Sequence, residues 1–479
     1  MSALHRLLTV LAGLLARAGV IEETRLRETT DLAWPRILTG FAIMSKRTVD
    51  LAVVGLAIGP TAVAGLTVAN AYWTVGKFAF IGLSGGTIAL VSQNYGGGDS
   101  TRAARAVEAS LIVAAVASLP LVVLFVFGAR PLVELLGNDA RTLTYGATYL
   151  AVVAPGLVFE ALNLVASRTY AGVGDTLTPM ALRATGAVLN IVLSAGLVLG
   201  LGYGVAGAAI GTTLSTVFVA VAFAWGMSGR AYLPRQGVSG ASPIPVRFDA
   251  RPDRDLFRQL LSIATPLVAR RIAQAAVVFP LLALAAVFGP LVVAAIGVAR
   301  QVRALLDSFG WGFSIATSTL VGQSLGRGDE ATAAAYGWEI TKLSCLVYVS
   351  VAVLVVGFAE PIARVFVDGE GLATTTQFVR VAAVSVVALG IDGSVTGTLR
   401  GAGDTRVPFL ATLGGLYLVA LPLAWLGTVT AWGVLGLMAA LVAETFVPMV
   451  VNYARFRAGT WKAVSRGYRP DQGERVGQD

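Results

Sequence analysis

The sequence predicts an all-α polytopic membrane protein, with twelve transmembrane helices in two parallel six-helix repeats. The repeats form two lobes related by a pseudo-twofold axis along the membrane normal. Three observations carry this reading. Apolar residues make up 56% of the 479 residues and charged residues 13%, with a mean hydropathy of +0.75, whereas a soluble domain carries about 25% charge. Apolar stretches of about 20 residues, enough to cross a hydrocarbon core of roughly 30 Å, recur along the whole chain. The second half also repeats the first. Val91, Gln93, Gly96, Gly98 and Asp99 recur as Val321, Gln323, Gly326, Gly328 and Asp329. Gly172, Gly174, Asp175, Thr176 and Pro179 recur as Gly401, Gly403, Asp404, Thr405 and Pro408, and Gly204, Val205 and Gly207 as Gly433, Val434 and Gly436. Six spans per copy is an even number, so both copies enter the membrane from the same side and are parallel.

The elements follow in order. In the leading segment, 1–33, Leu4, Leu7, Leu8, Leu11, Leu15 and Ala18 recur at helical spacing with Arg6 and Arg17 off that face. This predicts an amphipathic helix at the cytoplasmic membrane surface. A short apolar core before Ala16-Arg17-Ala18 also fits a signal peptide, but the clean period favours the former. The first lobe, 34–228, holds spans near 34–58, 62–93, 104–128, 143–167, 179–200 and 205–227. A cytoplasmic linker, 229–261, carries Pro234, Pro243, Pro245 and Pro252, with six arginines between 230 and 258. The second lobe, 262–455, holds spans near 262–288, 291–323, 335–357, 376–397, 407–428 and 433–454. A cytoplasmic tail, 456–479, closes the chain.

Pro155, Pro280, Pro422 and Pro448 fall inside spans and predict kinks. Gly174-Asp175 and Gly403-Asp404 fall at inner helix ends, where Gly takes positive φ and Asp caps the next helix. Pro179 and Pro408 fit the first turn beyond. Arginine and lysine concentrate in the inner segments, and the outer loops hold only Arg130, Arg141 and Arg364, which places both termini in the cytoplasm of a cell membrane.

Several function classes are excluded. The single cysteine, Cys345, forms no intrachain disulfide or thiolate cluster, and the single histidine, His5, supplies neither zinc chemistry nor a triad base in the membrane. The net charge of +9 follows from arginine-rich inner loops and needs no nucleic acid. Gly82-Leu83-Ser84-Gly85-Gly86 has the form of a nucleophile elbow but lacks a base, so its glycines read as close-packing positions. No Gly-x-x-x-x-Gly-Lys-Ser/Thr loop is present, which argues against a primary pump.

The paired Gly-x-Gly-Asp-Thr turns, the Val49-Asp50 to Gly55 segment and the two Gln-x-x-Gly-x-Gly-Asp loops form a set with the closing Arg455-Phe456-Arg457, Gly459 and Trp461-Lys462. In order and spacing this set resembles the multidrug and toxic compound extrusion (MATE) family over essentially the whole chain. The resemblance implies an antiporter without an organic cofactor, and the chain is expected to act as a monomer. It would expel organic cations or other amphiphiles through the cleft between lobes, in exchange for protons or sodium, with membrane lipids as its surroundings. The rival within the wider superfamily is a lipid-linked oligosaccharide flippase, to which Arg270, Arg271, Arg300 and Arg303 lend support.

Ionisable residues inside spans are costly and mark a pathway; here they include Asp50, Glu160, Asp307, Asp392 and Glu444, with Lys77 and Arg300. At about 1.5 Å per residue, Asp50 lies roughly 24 Å above the inner end of helix 1, Asn190 and Ser194 roughly 17 and 22 Å up helix 5, and Thr212 about 10 Å below the outer end of helix 6. The four share the outer half of the first lobe. In prokaryotic-type MATE proteins the resembling positions form a cation site, to which Asp50, Asn190 and Thr212 conform, so the resemblance implies coupling, and any Na+ site, at these three. Ser194 replaces a second carboxylate. Two close acids retain one proton at neutral pH, so this replacement leaves both H+ and Na+ open as coupling ion. The plainer reading of Asp50 is an intrahelical pair with Lys46.

In the second lobe, Asp392 is the repeat counterpart of Asn163, and Glu444 stands without another charge in its span. Both are candidates for coupling or substrate binding, and Asn163 joins them as a substrate candidate. Asp307 follows Arg303 by four residues and reads as an intrahelical pair. Tyr72, Trp73, Phe78, Trp311 and Phe313, on corresponding helices 2 and 8, are candidate walls of a chamber for flat cations.

Overall fold

Apolar sequence in lipid must satisfy its backbone hydrogen bonds internally, which in this chain means helices. The computed structural model describes residues 15–135, 139–232, 241–248, 253–367 and 369–469, and within these it is all-α. The first repeat comprises α1 (Glu23–Ala57), α2 (Pro60–Gly96), α3 (Ser100–Phe127), α4 (Ala140–Val153 and Gly156–Gly172), α5 (Leu177–Gly200) and α6 (Gly204–Met227). The second comprises α7 (Arg254–Ala286), α8 (Pro290–Gly326), α9 (Glu330–Gly357), α10 (Gly371–Gly401), α11 (Arg406–Val429) and α12 (Val434–Arg457). The two halves of α4 meet at 53° across Ala154-Pro155, the kink expected at that proline.

Among the described residues, nine of these helices are long and apolar enough to cross a membrane, and the bent α4 makes ten. The other two expected spans, α1 and α8, have the length, at 35 and 37 residues. Their composition falls short because α1 carries Arg36, Lys46, Arg47 and Asp50, and α8 carries Arg300, Arg303 and Asp307.

The repeat seen in sequence is a repeat of backbone conformation. Gly98 and Gly328 take φ of 81° and 84°, and the aspartate after each caps the next helix by accepting from Arg102 N or Thr332 N. Gly174 and Gly403 likewise take φ of 96° and 82°, the region that favours glycine. Their aspartates diverge. Asp175 caps α5, accepting from Thr178 N at 2.9 Å and Thr178 Oγ1 at 2.6 Å. In the second repeat Val407, which has no hydroxyl, stands where the first has Thr178, and Asp404 pairs with Arg455 Nε at 2.7 Å.

The chain packs as two compact units. One contains Pro35–Tyr95 and Asp99–Val268; the other contains the described residues up to Trp34, Gly96–Gly98, and those from Ala269 onward. The first helix of each repeat therefore changes unit along its length, α1 at Pro35 and α7 just beyond Pro266. A proline inside a helix removes a backbone hydrogen bond and permits a bend at that point.

This division bears on the expected segment boundaries. Of the leading segment, residues 1–14, and with them most of the expected surface helix, lie outside the described residues. From Val20 onward the segment packs on the second unit: Ile21, Leu26, Leu32 and Ala33 are buried with Tyr336, Phe456 and Trp461. Arg25 Nε meets Glu339 Oε2 at 2.9 Å, and Tyr336 donates to Glu28. In the linker, positions 233–240 and 249–252 lie outside the described residues. Val246 N donates to Met227 O at 2.9 Å, and Ile244 is fully buried in the first unit. Helix α7 begins at Arg254, earlier than position 262, because Leu256, Leu260, Ile263 and Ala264 extend its buried apolar face. Gly82 and Gly86 face α7, where an added Cβ would lie 2.6 Å from Val268 N and 3.0 Å from Leu260 Cδ1, and Ser84 donates to Ile81 O. The glycines of the elbow-like motif are close-packing positions.

Candidate ion and substrate sites in the two units

The sequence places a carboxylate, Asp50, on α1 and neutral oxygen-bearing side chains on α5 and α6. In the first unit, α6 meets α5 through Gly207 and Gly211, the latter so close that an added Cβ would lie 2.8 Å from Ser194 N. This approach sets Thr212 beside Asn190 and Ser194, just ahead of the π-helical turn Gly196–Gly200, a local widening common near functional sites. Gly211→Ala is therefore expected to cost about 1–3 kcal/mol, read as a lower unfolding temperature, and to reduce transport as α5 and α6 part.

Asp50, Asn190, Ser194 and Thr212 come together, with exposures of 5%, 0%, 0% and 7%. The Asn190 amide nitrogen faces the Asp50 carboxylate, at 3.2 Å from Oδ1 and 3.3 Å from Oδ2. Its oxygen accepts from Thr212 N at 3.2 Å and lies 3.0 Å from Thr212 Oγ1 and 3.3 Å from Ser194 Oγ. The reverse orientation would set a carbonyl oxygen against a carboxylate. Thr212 Oγ1 also lies 3.2 Å from Asp50 Oδ2, so its single proton chooses between two acceptors. Asp50 thus directs its hydrogen bonds to neutral partners on other helices, while Lys46 acts on it through charge. All the groups converging on the carboxylate are short, neutral and able to present oxygen, a donor set suited to a hard cation.

A second polar centre lies in the same unit. Glu160 on α4 is bridged by Lys77 Nζ at 2.8 Å and Arg183 Nη1 at 2.9 Å. Arg36 and Lys46 belong to the same electrostatic network. Asn163 donates to Thr216 O at 3.0 Å and lines an apolar pocket of about 360 Å³ with Leu162, Phe223 and Val246.

In the second unit, Asp392 accepts from Arg270 Nη2 and Asn452 Nδ2, each at 2.7 Å, and Arg270 Nε also reaches Thr412 Oγ1 at 2.8 Å. Glu444 is held from α8 by Arg300 and by Arg303 Nη2, the latter at 2.6 Å. The spacing-based pairing of Arg303 with Asp307 does not form. Arg303 reaches across to Glu444, and Asp307 Oδ2 accepts from Trp311 Nε1 at 2.8 Å. Arg271 lies over the Trp311 ring, 5.2 Å from its centroid, and donates to Gln274. Tyr72 is tied to the Leu132 carbonyl at 2.5 Å, and Trp73 packs near Gly156 at the bend in α4.

Arg183, Arg400 and Asn452 escaped the sequence reading. Arg183 lies two helical turns before Asn190, a spacing that shares its face. Arg400 sits in the last turn of α10, where an arginine reads as a loop charge, yet it turns inward to Ser314 and Ser318. Asn452 follows Glu444 by eight residues and so shares its face of α12.

A chain of two homologous six-helix repeats, with buried charge networks inside apolar spans, is by class a multi-pass membrane transporter. It belongs to the MatE family, whose model matches residues 35–195 and again 266–426. Two proteins described as probable multidrug resistance protein NorM are similar along nearly their whole length. The one from Bradyrhizobium diazoefficiens is 28% identical over 90% of this chain and 92% of its own, and that from Rhodopseudomonas palustris 28% identical over 95% and 97%. A crystal structure of a MATE protein in the bent conformation superposes with a TM-score of 0.84 at 20% identity, over 93% of this chain and 97% of that one, and so shares the fold.

Proposed function

We propose that the protein is a secondary active multidrug exporter that exchanges amphiphilic compounds for H+ or Na+ by alternating access. The observation that carries this reading is the buried cluster of Asp50 with Asn190, Ser194 and Thr212. A single carboxylate ringed by neutral groups has two states that differ by one positive charge, ion-bound and ion-free, as coupling requires. In the ion-free state the Asn190 amide stabilises the carboxylate as a donor. With Na+ bound, a half-turn of that amide presents its oxygen instead, completing a ligand set with Thr212 and Ser194. With H+ bound, the carboxyl becomes a donor itself. The NorM relatives, named for multidrug resistance, support efflux as the direction. The arginine-poor outer loops support cytoplasmic termini in the cell membrane, and a monomer carries the whole device.

Uptake of a fluorescent amphiphile into proteoliposomes, with proton and sodium gradients imposed separately, tests this reading. Flux driven by one gradient and absent from empty liposomes is the expected result, and it names the ion. Equal flux with and without either gradient would refute coupling.

A further inference from the structure

We propose that the second unit binds the acidic group of an organic anion at Arg271 and Arg400, beside the Arg270–Asp392 pair, so that the cargo carries negative charge. This narrows the cargo of the efflux reading above and rests on it.

The argument begins with charge balance. In the second unit Arg270, Arg271, Arg300, Arg303 and Arg400 form one electrostatic network with Asp307, Asp392 and Glu444, five cations against three carboxylates. Glu444 is shared by Arg300 and Arg303, and Asp392 is taken by Arg270. Among the described residues, Arg271 and Arg400 make no ion pair. Arg271 is held by Gln274 and the Trp311 ring, and Arg400 by Ser314 O, Ser314 Oγ and Ser318 Oγ at 2.8, 3.0 and 2.7 Å. Arg270, Arg271 and Arg400 moreover act on one another as like charges. Uncompensated charge inside a membrane protein is expensive and requires a counter-charge.

The chemistry of the missing partner follows from the groups in place. Guanidinium forks match carboxylate, sulfonate or phosphate oxygens, and Trp311 beneath Arg271 adds an aromatic face. An organic cation would meet a surplus of like charge here, whereas an organic anion neutralises it.

The test combines binding and transport. Carboxyfluorescein binding to the detergent-purified protein, read by fluorescence polarisation, is expected to saturate. Arg271→Gln and Arg400→Gln are each expected to weaken it about tenfold, and the charge-retaining Arg271→Lys less than about threefold. Binding indifferent to Arg271→Gln and Arg400→Gln overturns the proposal. Proteoliposomes then separate the sources of the acidic group, with carboxyfluorescein as free anion, fluorescently labelled phosphatidylglycerol as lipid headgroup and ethidium as cation. Arginine-dependent movement of either anion upholds the site and identifies its source. Ethidium movement, with neither anion bound or moved, overturns the site and leaves the efflux reading standing. Arginine-dependent binding with no probe moved under any gradient upholds the site and refutes the efflux reading.

Discussion

Asp50→Asn is expected to abolish gradient-driven export while leaving the fold intact. Asparagine has nearly the shape of aspartate and still accepts from Thr212, so helices α1, α5 and α6 keep their packing. The substitution removes the charge proposed to be traded for a proton or a sodium ion, and among the described residues no other carboxylate makes a hydrogen bond within this cluster. The measurement is transport rate in proteoliposomes beside thermal unfolding of the same preparation. Transport should fall to the level of empty liposomes, with unfolding free energy changed by less than about 1 kcal/mol, because a neutral hydrogen-bonded amide replaces a desolvated carboxylate. Loss of both transport and folding would reassign Asp50 to a structural role.

Glu444→Gln should produce the largest loss of stability. The Glu444 side chain is 4% exposed and holds two arginines, themselves 18% and 16% exposed. Removing its charge leaves both guanidiniums of α8 buried without a counter-ion. Breaking a buried pair from one side costs about 3–5 kcal/mol. Thermal unfolding of the purified variant should show that cost as a markedly lower midpoint. The triple variant Arg300→Met, Arg303→Met, Glu444→Met should recover most of it, because apolar side chains of similar size need no charge compensation. A single-variant midpoint equal to wild type would show that the arginines have another anion.

The architecture was legible because lipid enforces it. Span length and the Gly-Asp repeats each report a constraint local in sequence, and the matching φ of Gly98 with Gly328 and of Gly174 with Gly403 shows that recurring residues mark recurring turns. The grouping of Asp50, Asn190, Ser194 and Thr212 was legible through the family resemblance, with helix rise setting the four at one level. Depth does not fix azimuth, and here the reading failed. Arg303 and Asp307 are four apart on one helix, yet the stronger partner for Arg303 is Glu444 on α12, a long-range choice that spacing cannot show. Arg400 read as a loop charge because nothing local reveals that its side chain turns inward to Ser314 and Ser318. The expected surface helix rests on Leu4 to Ala18, most of which lies outside the described residues; the residues that follow it, Ile21, Leu26 and Leu32, pack with Tyr336 and Trp461.

Ion movement evoked by substrate tests the central claim most directly. Proteoliposomes loaded with a pH-sensitive or a sodium-sensitive dye receive a pulse of transported amphiphile with no ion gradient imposed. Coupling through Asp50 predicts an immediate counterflow of one of the two ions in the wild type and none in Asp50→Asn. Substrate movement without any ion movement, or the same counterflow in both proteins, would contradict it.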